Sequence, residues 1–478
     1  MNPILNLLSL LGIVGLCFVA WLGSEDRRII PWKVIFWGIG LQMVVGLIVF
    51  GLGSSLVEGL SDLLNVVLDA SEAGAQFLFG GPASMLVADP NFAAGPGPAG
   101  RWIARTVGNP YVAVAGDRLG TDNLNPGFAY VLAFRALPQV IFFSGLVSLL
   151  YRLNIIQPVV KWFAVIFQKT MRISGAESMA GAANIFVGIE SAIAIKPFLL
   201  DMTRSELCAI LTSCFGSIAS SVLALYAGLL RPTFPSIAGH LVSASIMTIP
   251  ACFVISKLLI PETGEPKTLG HIPEDKTSDS TKRPNPMDSL IGGALDGVKM
   301  AVGIAAAIIA ILGMVALINA VFSGISTLVV GASPSGDPSL VTQFFANPLA
   351  NLLGMLFLPL TFLTGVSLEW QELWTCSLLI GRRLFETNIP PYQALGAFAQ
   401  SGELSTRALL VVSYVLCGFT HFASYGIFVG GLSGLIPERR NEVASLGFKA
   451  LWAGTLATLM TGCIAGLFDI GNAAVLGR

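Results

Sequence analysis

Residues 177–200 read Glu177-Ser-Met-Ala-Gly-Ala-Ala-Asn-Ile-Phe-Val-Gly-Ile-Glu-Ser-Ala-Ile-Ala-Ile-Lys-Pro-Phe-Leu-Leu200. The stretch is apolar, but Gly188, Glu190 and Ser191 interrupt its middle. A membrane-crossing helix needs about 20 apolar residues, so this segment is too short to cross twice. It fits a re-entrant hairpin with its tip at Gly188–Ser191. Backbone that leaves the helix at membrane depth survives only where protein or water satisfies its N–H and C=O groups.

A second stretch, 343–385, repeats the pattern. Apolar Leu352–Thr364 leads to Gly365-Val-Ser-Leu-Glu369 and then to a second apolar arm. After each stretch comes a span with polar residues at its centre, Phe-Gly-Ser-Ile-Ala-Ser at 215–220 and Phe-Thr-His-Phe-Ala-Ser at 419–424. Both match F-x-x-x-A-S. Six residues are a short match, and the shared order of hairpin then polar-centred span strengthens it. By the charge distribution below, the two units enter from opposite sides. That is an inverted repeat, a common plan of secondary transporters. Two tips and two polar-centred spans converging near the midplane would suit a small polar solute and a cation.

The rest of the chain agrees. Only 12% of its 478 residues are charged, against roughly a quarter in soluble domains, and mean hydropathy is +0.76. Full spans are expected at 3–23, 30–52, 128–151, 205–230, 236–258, 298–325, 409–435 and 444–468. The fold class is therefore an all-α membrane protein with eight transmembrane helices and two re-entrant hairpins. Residues 54–78 put Leu56, Leu60, Leu63, Leu64 and Val67 on one helical face and Glu58, Asp62, Asp69 and Glu72 on the other, the pattern of an interfacial helix. Residues 155–171 are a weaker second case. The Gly- and Pro-rich 80–127 is a long polar connection.

Lys and Arg mark the cytoplasmic side. They cluster after span one (Arg27, Arg28, Lys33), span three (Arg152, Lys161, Lys169, Arg172), span five (Lys267, Lys276, Lys282, Arg283) and span seven (Arg439, Arg440). Both termini then face outward. No basic residue precedes the first apolar segment, which reads as a retained helix. The expected organisation is an N-terminal scaffold and oligomerisation region at 1–152, a first transport repeat at 153–260, a cytoplasmic linker at 261–297, a sixth scaffold span at 298–326, and a second repeat at 327–478. Net charge of −1 gives no sign of a nucleic-acid partner. The seven cysteines form no CxxC pair and the three histidines are scattered, so neither a disulfide framework nor a zinc site is expected.

Several motifs resemble the bacterial concentrative nucleoside transporters. Phe134-Arg-Ala-Leu-Pro138 and Ile141-Phe-Phe-Ser144 resemble that family's third span. Ala176-Glu-Ser-Met179 and Ala183-Asn-Ile-Phe-Val-Gly188 resemble its first hairpin. Cys417-Gly-Phe419, Gly430-Gly431-Leu432 and Pro437-Glu-Arg-Arg440 resemble its seventh span and following loop, and Ala453-Gly-Thr-Leu456 its last span. The resemblance implies a multi-pass symporter of the cytoplasmic (inner) membrane that carries nucleosides inward, driven by sodium or protons, and assembles as a homotrimer. It implies a sodium site at Asn184, Val187, Ser217 and Ile218, with no cofactor beyond the coupling ion. It also implies substrate contacts at Gly188, Ile189, Glu190, Ser191, Asn388, Phe419, His421 and Ser424.

Three of those polar positions depart from the family pattern. The first tip reads Gly188-Ile189-Glu190-Ser191 where Gly-Gln-Thr-Glu is usual. Asn388 stands at the position of a ribose-binding Glu, and His421 at that of an Asn. An ionised side chain at the midplane costs several kcal/mol unless paired or hydrated, so Glu190 is expected to work, as is His421. Together they are expected to read the polar edge of the substrate and to make affinity pH-dependent. Ser191 and Ser424 have the alternative of bonding helix backbone. Arg135, Arg382 and Arg383 are expected to be packing or interface residues, and Glu386 is a further candidate. A proton-coupled carrier of another polar solute, a channel or sensor, and an intramembrane enzyme using Ser191 or Ser424 with His421 are the competing functions. No nucleophile turn of the G-x-S-x-G type supports the enzyme.

Overall fold

A computed structural model of the chain describes residues 3–52, 54–79, 132–188, 191–272, 285–330, 344–345, 347–471 and 476–477. The connection at 80–127, and Ile189 and Glu190 at the first tip, lie outside the described residues. The first two spans are α1 (Pro3–Leu22) and α2 (Trp32–Gly46), the latter continued by a π-helical stretch, Leu47–Leu52. Both expected interfacial segments are helical, as α3 (Ser54–Phe79) and α5 (Ile156–Met171). The α5 helix turns 80° away from α4 (Leu132–Arg152), the third span.

The first hairpin comprises α6 (Gly175–Asn184) and two short helices, α7 (Ser191–Ala194) and α8 (Lys196–Leu199). Ten residues of helix rise only about 15 Å, half the thickness of the hydrocarbon core. The fourth span breaks between α9 (Arg204–Gly216) and α10 (Ser220–Leu230). Both α6 and α9 open on capping boxes that the sequence spells as Ser/Thr-x-x-Glu. Ser174 Oγ accepts from Glu177 N and Glu177 Oε1 from Ser174 N, and Thr203 and Glu206 reciprocate in the same way.

Beyond α11 (Ile237–Leu259) and the 45-residue α12 (Pro286–Val330), the C-terminal part contains α13 (Pro348–Leu363), α14 (Trp370–Glu386), α15 (Ile389–Ser401), α16 (Thr406–Val415), α17 (Phe422–Leu435) and α18 (Arg440–Phe468). Among the described residues, six spans are long and apolar enough by themselves: α1, α2, α9–α10, α11, α12 and α18. The α4 helix, with the bent pair it forms, allows a seventh, and the expected span at 409–435 falls on the two shorter apolar helices α16 and α17. The α1 and α2 helices pack on α18 and α11, whereas α4 pairs most extensively with α12. Gly293 and Gly297 of α12 make that approach possible, because a Cβ at either would run into Ser148, Ser144 or Ile141 of α4. Small residues permit this closeness in membranes.

The second hairpin does not turn where the sequence suggested. Gly365 does leave the helix, with φ +68°, but its turn lies where spans end. Ser9 of α1 donates to Thr364 O (2.7 Å), and Arg407, in the first turn of α16, donates to Gly365 O (2.8 Å) and pairs with Asp469 just past α18. The turn that meets a broken span is Thr387–Asn388, between α14 and α15. The apolar run at 352–364 forms the helix before this hairpin, α13. Both turns follow helices of similar length, 16 and 17 residues, and the glycine stands at the first of them.

Candidate functional site

The two broken spans cross at glycines. A Cβ on Gly418 would collide with Gly216 O, and one on Gly454 of α18 would meet Phe215 Cβ at 2.7 Å. This contact brings the breaks at 217–219 and 416–421 together deep in the helical core, and each is closed by its own hairpin.

At the first break the tip is stitched to α10. Ser220 donates to Phe186 O through both N (3.1 Å) and Oγ (2.7 Å), and Ser245 of α11 donates to Ile185 O (3.1 Å). One face of the Asn184 carboxamide lies 3.0 Å from Val187 O, 2.7 Å from Gly188 O and 3.1 Å from Ser191 Oγ. With nitrogen on that face, the amide donates to these oxygens. That orientation satisfies the amide's hydrogen bonds; turned over, its oxygen would join Val187 O, Gly188 O and Ser191 Oγ as ligands for a cation. Cys214 Sγ lies 3.5 Å from the amide's other edge, so α9 passes close by. Ser217 caps α9, its Oγ returned to Ser213 O (2.8 Å), and Ile218 is fully buried within the break. Asn184, Val187 and the Ser217–Ile218 break are thus neighbours in the fold.

At the second break Asn388 Nδ2 donates to Leu416 O (2.8 Å) and Gly418 O (2.6 Å). His421 is the N-cap of α17, its Nδ1 accepting from Ser424 N at 3.1 Å. The bare lone pair that this needs puts the proton of a neutral ring on Nε2, as a donor. Ser424 Oγ donates to Phe419 O and lies 3.0 Å from His421 Nδ1. This Ser–His contact is therefore the local geometry of a helix cap.

A cavity of 720 Å³ separates this assembly from α12. Of the residues expected to touch substrate, Gly188, Phe419, His421 and Ser424 line it. Asn388 is fully buried behind its neighbours Thr387 and Ile389, which do line it. Ser191 is buried beside Asn184. Sequence reasoning missed Tyr226, Lys299 and Thr387 in the lining. Tyr226 stacks on Tyr392 at 4.4 Å, a pairing across the repeats that spacing along the chain does not reveal. Thr387 has φ +68°, an outlier for a β-branched residue, and its Oγ1 is buried without a partner among the described residues. Such strain clusters at functional sites, at about 1–3 kcal/mol each.

Two arginines expected at the lipid interface separate here. Arg382 is half-buried and pairs with Glu386 at 2.7 Å, and neither residue lines this cavity. Arg383 is not an interface anchor. It is 1% exposed, and its guanidinium donates to Val415 O and to Thr458 Oγ1.

The chain matches three family models in succession: the Na+ dependent nucleoside transporter N-terminus over 11–82, a nucleoside recognition module over 133–233, and the Na+ dependent nucleoside transporter C-terminus over 240–466. It is 33% identical to an uncharacterised transporter of Haemophilus influenzae over 98% of this chain and 99% of that one. The chain belongs to the concentrative nucleoside transporter family. The structure of CNTnw in an inward-facing substrate-bound state superposes with TM-score 0.78 at 30% identity, covering 97% of this chain and 98% of that one. Mouse sodium/nucleoside cotransporter 1 is 31% identical over 97% of this chain, which spans 64% of that protein's length. The family places the chain among multi-pass membrane transporters, not enzymes, and the Ser–His contact needs no catalytic reading.

Proposed function

We propose that this transporter is a symporter importing nucleosides, or a closely related ribosylated solute, by alternating access, with sodium as the coupling ion. One observation carries the reading. Gly188 belongs to both sites: its carbonyl lies 2.7 Å from the Asn184 carboxamide, and the residue lines the cavity. A cation drawn into the oxygens of Asn184, Val187 and Gly188, with Ser217 and Ile218 adjacent, orders the wall against which solute binds. Affinity for one then depends on the other, as linkage requires. The solute contacts in this reading are Gly188, Ile189, Glu190, Ser191, Phe419, His421 and Ser424, with Asn388 fixing the second tip behind them. Sodium and chain oxygens suit each other, since hard cations take oxygen ligands.

The assembly is proposed to be a homotrimer. Ile309 is 75% exposed, Met314 57% and Leu317 59% along α12, leaving an apolar face for lipid and sister subunits. The same division assigns 1–152 and 298–326 to a scaffold, 261–297 to a linker, and 153–260 and 327–478 to the moving repeats.

The test is uptake of labelled uridine and adenosine into proteoliposomes under an imposed sodium gradient. Uptake should need sodium at fixed pH, and Asn184→Ala should raise the sodium concentration for half-maximal uptake by tenfold or more. Undiminished uptake in sodium-free buffer would reject sodium as the obligatory ion and leave proton coupling.

A further inference from the structure

The first halves of the two broken spans end in different company. The α9 helix stops at Gly216 and α16 at Val415. Each end frees carbonyls and carries about half a negative charge from the helix dipole. At the first end the described hairpin residues contribute neutral groups only, the Asn184 carboxamide with Val187 O, Gly188 O and Ser191 Oγ around one of its faces. At the second it contributes a cation. Arg383, on the last turn of α14, points into the core and donates to Val415 O, the last residue of α16, and to Thr458 Oγ1 of α18. Asn388, the tip residue of the same hairpin, covers Leu416 O and Gly418 O. The second break is thus supplied with donors by its hairpin. The described groups at the first carry no fixed charge.

Arg383 has no ordinary structural explanation as half of an ion pair. Glu386, the acid nearest in sequence, is held by Arg382 at 2.7 Å. Arg383 Nη2 is buried without a hydrogen-bond partner among the described residues. Burying a guanidinium without a counter-charge costs several kcal/mol. What faces it is the negative end of a half-helix and its unwound carbonyls, the groups that hold coupling ions in transporters built from broken helices.

We propose that Arg383 is a resident cation: it fills, at the end of α16, the place that the first repeat leaves at the end of α9 for an exchangeable ion. The chain then carries one exchangeable cation per cycle where its two repeats would accommodate two. This rests on the sodium reading of the first repeat. A fixed guanidinium does the same electrostatic work as a bound ion but does not dissociate, so the second hairpin stays locked to its break when sodium leaves.

The experiment is sodium titration of uptake in proteoliposomes for wild type, Arg383→Lys and Arg383→Gln, together with the charge moved per solute in the wild type. The wild type should show a Hill coefficient near one and one charge per neutral solute. Arg383→Lys should keep that slope and at least a third of the rate. Arg383→Gln should lose tenfold or more at sodium concentrations that saturate the wild type. Two charges per solute in the wild type would overturn the proposal whether or not the Gln variant folds. So would Arg383→Gln with wild-type uptake and slope. Indifference of wild-type uptake to sodium refutes the sodium reading instead, and the contrast between Lys and Gln still reports whether a fixed charge is needed at the break.

Discussion

Asn388 Nδ2 donates to Gly418 O at 2.6 Å, across 30 residues of sequence. With its second bond, to Leu416 O at 2.8 Å, this amide closes the tip of one hairpin onto the break of the following span. Asn388→Ala leaves two buried carbonyls unpaired, at about 1–3 kcal/mol each. Asn388→Asp should be worse than Ala, because it replaces the donor with a carboxylate facing two carbonyls. Thermal unfolding in detergent should rank wild type above Ala above Asp. An Asp variant as stable as wild type would show that the amide does not hold the tip.

Much of this was legible beforehand. Apolar runs gave the spans, and the polar residues inside otherwise apolar stretches, Ser217, His421 and Ser424, marked the breaks, because lipid penalises polar groups that have no task. The first hairpin was recognisable from Gly188, Glu190 and Ser191, which interrupt an apolar stretch too short to cross twice. The second was misplaced to Gly365, since a glycine turn between apolar arms looks the same at a span end as at a re-entrant tip. Arg383 was misread for a related reason. Arginine near the end of an apolar helix usually snorkels, and only the fold shows that this one turns inward. Tyr226 and Lys299 enter the cavity from elements whose faces depend on how α10 and α12 pack, which periodicity does not specify.

His421 has a structural duty that bears on the expected pH dependence. Its Nδ1 accepts from Ser424 N at 3.1 Å, and a proton on Nδ1 would break that cap. Asparagine also caps helix N-termini well. His421→Asn should therefore preserve folding and leave the pH profile of uptake unchanged across neutrality, while His421→Leu should lose about 1 kcal/mol of stability. A pH optimum that moves in the Asn variant would restore the titrating role to His421.

Glu25, in the turn after α1, lies 3.0 Å from Arg204 Nη2 and 2.6 Å from Lys449 Nζ. The Arg204 guanidinium, and then Lys449, hold its carboxyl below the ordinary carboxylate range. A depressed folded value means that the ionised form favours the fold. The contribution is present at neutral pH and is lost as pH falls through that lowered value. Because the groups are about a third exposed, Glu25→Gln should cost at most about 1 kcal/mol at neutral pH. The gap from wild type should close in acid. A gap that stays constant into acid would mean that the loss comes from packing.

Lys257, in the last turn of α11, joins three elements. Its Nζ lies 2.9 Å from Glu177 Oε2 of the first hairpin and 3.1 Å from Glu262 Oε2 in the following connection. Thr203 Oγ1, capping α9, donates to the same Glu262 oxygen at 3.0 Å. The Lys257 and Glu177 side chains are 5% and 1% exposed, and that of Glu262 is 26% exposed. Removing one partner of a buried pair leaves the other charge uncompensated, at about 3–5 kcal/mol, whereas replacing both is often nearly neutral. Lys257→Met should therefore destabilise strongly, and Lys257→Met with Glu177→Gln should recover most of the loss. Glu262→Gln, nearer solvent, should cost about 1 kcal/mol or less. Unfolding of the three variants and the wild type completes the comparison. If the double variant is as unstable as Lys257→Met alone, Lys257 acts by packing its stem, and the hairpin is not anchored through Glu177.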